Sequence, residues 1–274
     1  MWKKTAAVFS AALLFAAPLH AQNTPAPKKR PAVKAKADRT KELQLTAAQK
    51  QEVLRGLDKG LAQHPVLIEL KKIDPELHQQ IHSQLRQELT VLFERDNISL
   101  GEIGRMTEAK ISPLLAAKID QLLPYADDDA LKNYIQSMLV ILDVLLAKPD
   151  SGACFGWLHG QLLSSDILEN EWQKIMLVTN VMQFANMSVL RHHNVQRKLP
   201  TEEQIADKLE PIWADMAKKY SSEQQSEWLA LMGVDGINTQ SPIAQQRFVC
   251  EVTRDMYRQA LSAGDMDVVR YLLK

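Results

Sequence analysis

Cys154 and Cys250 are the two cysteines of the chain. An isolated pair in an oxidising compartment is expected to form a disulfide, the alternative being two buried free thiols that act as small apolar residues. Such a bond closes a loop of nearly a hundred residues, worth roughly 3–5 kcal/mol by the chain-entropy argument. The pair lacks the Cys-x-x-Cys spacing that tunes a thiol for redox work. Around Cys154 stand Gly152, Gly156 and Gly160, four residues apart, interleaved with Trp157 and His159. On a helix these glycines make one bare stripe, and each costs up to ~1 kcal/mol against alanine. Two explanations fit: another helix packs closely there, or a ligand enters a pocket walled by Trp157 and His159.

His78 and His82 are four apart, with Asp74 one turn earlier. That spacing stacks all three on one helical face, where paired imidazoles can share zinc or copper. The glutamate of the His-Glu-x-x-His pattern is missing, since Gln79 follows His78, so the bland reading is a solvated face and no cofactor is expected. Asp127, Asp128 and Asp129 precede Ala130, where carboxylates cap a helix. Arg191, His192, His193, Arg197 and Lys198 form a basic cluster after a long apolar run. Cations suit a helix C-terminus, and the same cluster offers a contact for an anion or a partner. No phosphate loop, nucleophile elbow or zinc-finger spacing occurs, and catalytic residues cannot be named.

The elements that position these groups are helices. From Glu42 onward apolar residues recur three and four apart, without strand-like alternation. Helices are expected at 46–62, 75–96, 99–110, 113–123, 128–147, 152–164, 167–191, 201–219, 222–232, 242–262 and 265–273. Asp74-Pro75, Ser112-Pro113 and Ser241-Pro242 each read as a cap followed by proline at the first helical position. Ser99 with Glu102, and Thr201 with Gln204, have capping-box spacing. Pro211 predicts a kink or break in the 201–219 helix. Residues 175–190 carry no charge, which predicts a helix enclosed by others. Asp143 shares a stripe with Lys132 and Gln136, so it is expected to face solvent. The expected fold is all-α: a compact bundle or irregular array of about ten helices, with no β-sheet and a candidate subdivision near 148–151.

The N-terminal residues set the compartment. Lys3 and Lys4 precede an apolar run from Ala6 to Ala17, then Pro18 to Ala21, the pattern of a secretory signal cleaved after about Ala21. A bacterial periplasmic destination follows, with secretion as the alternative. Residues 22–41 hold three prolines, seven basic residues and one acid, and read as a disordered tail. Of 33 basic and 33 acidic residues in all, 2 basic ones fall in the leader and 7 in the tail, with 1 acid in the tail. That leaves 24 against 32, a charge of about −8, on residues 42–274. An acidic body does not suit nucleic acid; the tail is expected to be a soluble spacer, with electrostatic contact to anionic membrane or cell-wall polymers as the alternative. The leading expectation is an envelope protein that binds a protein partner and is not an enzyme. The alternatives are a small-ligand or metal binder and a helical envelope hydrolase.

Overall fold

The computed structural model describes residues 46–95, 98, 100–148, 152–158, 172–231 and 241–273. The expected leader at 1–21 and tail at 22–41, and likewise Ser99, His159 and Gly160, lie outside the described residues. The fold is all-α: eleven α-helices and one short 3-10 turn, with no β-sheet among the described residues. The helices gather in two compact units, divided in sequence between Ile111 and Ser112. Lys148 falls within the second.

The first unit holds α1 (Ala47–Gln63), α2 (Pro65–Ile73), α3 (Pro75–Leu92) and the beginning of α4 (Leu100–Leu122). Thr46 and Gln49 cap α1 reciprocally, and Asp74 caps α3 by accepting the Leu77 N–H at 2.9 Å. Between the helices expected at 46–62 and 75–96 the chain forms a further helix, α2. His64 adopts an extended conformation that breaks one long helical run in two. Pro65 then opens the second piece, whose Val66, Leu67 and Leu70 are buried. These side chains join Leu57, Leu61, Ile81, Leu85 and Leu89 in an aliphatic core. Burial of each such side chain stabilises by roughly 1.5–3 kcal/mol. The exposed Arg86–Asp58 pair, 2.7 Å apart, adds at most about 1 kcal/mol.

Ser112-Pro113 does not start a helix. α4 is continuous through it, with Pro113 exposed inside. Proline removes one backbone donor, a loss that water tolerates on an exposed face, and buried Leu115, Ile119 and Leu122 hold the helix beyond it.

The second unit begins within α4. A 3-10 turn at Leu123–Tyr125 leads to α5 (Asp128–Leu146), α6 (Ala153–Leu158), α7 (Trp172–Arg191), α8 (Glu202–Lys219), α9 (Ser222–Leu231), α10 (Ile243–Ser262) and α11 (Met266–Leu272). α10 is the hub, packed against α5, α6, α8, α9 and α11. Asp127 caps α5, accepting the Ala130 N–H at 2.7 Å. Thr201 donates its N–H to Gln204 Oε1 at 3.0 Å, as the capping box requires. α8 is one helix through Pro211, not two; that residue again faces solvent. α10 starts one residue later than its Ser-Pro pair implied, with Pro242 itself at the capping position. Ser241 serves differently: its carbonyl accepts from Gln246 Nε2 at 2.7 Å. Gly264, at φ 74, takes the left-handed turn that ends α10, and Asp265 caps α11.

The expectation for the uncharged 175–190 run needs one correction. α7 buries Met182, Ala185, Met187, Val189 and Leu190, but Phe184 is 69% exposed. α7 packs against α5, and within residues 180–191 its other face meets solvent.

Candidate functional site

An aromatic-lined cavity lies where α8, α9 and α10 converge. Their side chains leave a cavity of about 280 Å³ walled by Trp213, Tyr220, Trp228 and Phe248, with Met216 and Val252 behind. Helical spacing explains the α8 wall: Trp213, Met216 and Tyr220 fall on one face at steps of three and four. The rings meet in two pairs. Trp213 and Trp228 are tilted with centroids 5.9 Å apart, and Tyr220 stands edge-on to Phe248 at 6.0 Å. Such pairs add about 0.5–1.5 kcal/mol each beyond area burial and hold the walls in place. Trp228 and Tyr220 are nearly buried, whereas Trp213 is 39% exposed.

A charged network fixes one wall. The Tyr220 hydroxyl donates to Asp255 Oδ2 at 2.5 Å, and Lys219 Nζ donates to the same oxygen. Arg254 donates to Oδ1 at 3.0 Å. The Asp255 side chain is 6% exposed. Burial alone pushes its carboxyl up, but the bonds from Lys219, Tyr220 and Arg254 outweigh that and hold it below its ordinary value. Burial, then the bond to Asp255, raises the Tyr220 hydroxyl. Tyr220 therefore stays a neutral donor, and its ring is oriented by a salt-bridged carboxylate. Arg258 binds both oxygens of Asp143 at 2.9 and 3.0 Å, tying α10 to α5. Asp143 is exposed as its stripe implied; its arginine partner was not legible.

The cysteines are joined: Cys154 and Cys250 form a disulfide with Cα atoms 6.2 Å apart, linking α6 to α10. Close approach explains Gly152, because a methyl group there would lie 2.1 Å from Gln246 Oε1. Gly156 and Trp157 are buried. Trp157 belongs to the packed interior, and His159 and Gly160 are outside the described residues.

His78 and His82 do share one helical face, their rings tilted at 43° with centroids 4.8 Å apart. Burial lowers the pKa of each; for His78 the charges of His82 and Lys71 add to it. Asp74 is turned to capping α3. No group of three or more metal-ligating side chains is gathered among the described residues.

The basic cluster at the end of α7 is seated on the acidic start of α5. Arg197 lies 3.2 Å from Asp128 Oδ1, and the Asp127 N–H donates to the His192 carbonyl at 2.7 Å. His193 Nδ1 lies 3.2 Å from the Val189 carbonyl. Arg191 and Lys198 flank these residues at exposed positions. Asp128 also receives Arg270 Nη2 at 2.6 Å, and that bond leads in holding its carboxyl below the ordinary value. Arg270 itself is 1% exposed and donates to the Ala126 carbonyl at 2.8 Å.

The aromatic cavity was not foreseen. Its signal is the Trp213–Tyr220 stripe followed by Trp228, which reads equally well as core; only the packing of three helices shows that the rings stop short of filling the space. Comparison of the chain with known protein families, with curated proteins and with solved structures gives no match.

Proposed function

We propose that this chain is a non-enzymatic binding protein of the bacterial envelope, exported behind residues 1–21, and that the aromatic cleft of α8–α10 receives an apolar side chain of a partner protein. The observation that supports this reading is a cavity of about 280 Å³ bounded by four aromatic rings, one of them at the surface. Sites for small molecules usually run from about 300 to 1,000 Å³. This cleft is at or below that range and matches one or two large side chains. Buried aromatic pockets of that kind carry most of the energy of protein interfaces.

The test is cross-linking in intact cells, followed by capture of the wild-type protein and of Trp213→Ala. Trp213 is exposed enough for its loss to leave the helices folded, which circular dichroism checks. A partner captured by the wild type and lost with Trp213→Ala supports the reading. Equal capture by both proteins overturns it.

A further inference from the structure

The charges around the cleft narrow what it takes. Resting on the reading above, we infer that the occupant is a cationic segment of a partner protein, in which lysines or arginines flank an aromatic or large aliphatic anchor.

Residues 202–231, which cover α8 and α9, hold seven acids and three lysines. All three lysines are already engaged. Lys208 pairs with Asp265 at 2.5 Å, Lys218 with Asp215 at 2.7 Å, and Lys219 with Asp255. Glu203, Asp207, Glu210, Glu223 and Glu227 are exposed, and none has a cationic partner among the described residues. Two of them are placed by helical spacing beside the cleft. Glu210 lies one turn before Trp213, and Glu227 lies one turn after Gln224, which lines the cavity.

The cations beside the cleft are already paired: Lys219, its side chain 55% exposed, is held by Asp255. Arg247, next to Phe248, donates to the carbonyls of Leu146 and Lys148 and approaches Glu251 at 3.6 Å. Arg254 is bound to Asp255. What the mouth offers a visitor is therefore open carboxylates and the faces of aromatic rings. Ring faces attract ammonium and guanidinium groups, and the carboxylates speed and orient the approach of a basic segment. Tyr220 already shows the first effect, with the Lys219 ammonium 5.7 Å from its ring centroid. An anionic segment would meet uncompensated like charge at the rim. A neutral one would gain only the apolar contact.

The experiment uses the mature chain and three synthetic hexapeptides without tryptophan. Each has a Phe-Leu anchor flanked on both sides by two lysines, two serines or two glutamates. Binding is read from the fluorescence of the protein's own tryptophans. The lysine peptide is expected to bind at least tenfold more tightly than the serine peptide at low salt. That advantage should fade near ~1 M salt, where the screening length falls to about 3 Å. The double reversal Glu210→Lys with Glu227→Lys should abolish the preference, and Trp213→Ala should weaken every peptide. Equal binding of all three peptides overturns the charge inference and leaves the cleft reading standing. Lysine-peptide binding that ignores Trp213→Ala overturns the inference as a mere surface effect. Absence of binding by every peptide overturns the cleft reading itself.

Discussion

The Tyr220 hydroxyl donates to Asp255 at 2.5 Å while the Tyr220 ring lines the cleft, so one residue belongs at once to the cleft wall and to the charged interior. Removing the hydroxyl keeps the wall and loses its anchor. Tyr220→Phe is expected to cost about 1.5–3 kcal/mol, the range for a bond to a charged acceptor. Asp255→Asn should cost as much or more, because Lys219 and Arg254 lose their counter-charge. Chemical denaturation of both variants measures this. Peptide affinity should fall less for Tyr220→Phe than for Trp213→Ala.

Asp255 also sets an acid limit. Its carboxyl lies below the ordinary value of 3.8 in the folded chain, so the unfolded chain binds the proton first as pH falls. The stability it contributes is complete above pH 3.8 and is lost as pH drops through the folded value. In Asp255→Asn that loss should be absent, which acid titration of the far-ultraviolet signal would show.

Asp120 works in the opposite sense. One of its carboxylate oxygens is buried without a hydrogen-bond partner among the described residues, and burial raises its pKa from 3.8 to about 7. The folded chain therefore holds this proton longer than the unfolded one. Its stability is complete below pH 3.8 and declines as pH rises to about 7. Asp120→Asn should flatten that decline and be the more stable protein at neutral pH, as paired melts at pH 5 and pH 8 would reveal.

Much of the fold is legible in the sequence because capping and helical periodicity are local. Asp74, Asp127 and Thr201 sit at helix starts where their side-chain chemistry puts them. Proline misled where the outcome depends on exposure: Pro113 meets solvent, so α4 runs on instead of starting there, and of the kink or break expected at exposed Pro211 the break does not occur. The candidate site was hidden for a different reason. Trp213, Tyr220, Trp228 and Phe248 have the spacing of core residues, and a void among them depends on how three helices cross. The Asp143–Arg258 pair spans 115 residues of sequence, a distance no local pattern reports.

Gly152 offers a test of packing beside the disulfide. Gly152→Ala places a methyl group 2.1 Å from Gln246 Oε1, and Gln246 is 4% exposed and held by the Ser241 carbonyl. The variant is expected to lose about 1–3 kcal/mol. Adding Gln246→Ala should recover part of that loss, and a double-mutant cycle would measure the coupling.

Reduction of the Cys154–Cys250 bond, or the paired change to serine, should lower stability by roughly 3–5 kcal/mol. Denaturant midpoints with and without reductant give the figure, and loss of peptide binding should track the fraction unfolded.

The same bond has a consequence for survival among proteases. α8 and α9, and Phe248 of α10, fall between the two cysteines in the chain. A single cut anywhere in that interval leaves both pieces covalently attached through sulfur. The nicked protein would run as one species until reduced, and the three helices of the cleft would stay fastened to one body after the peptide chain had been severed.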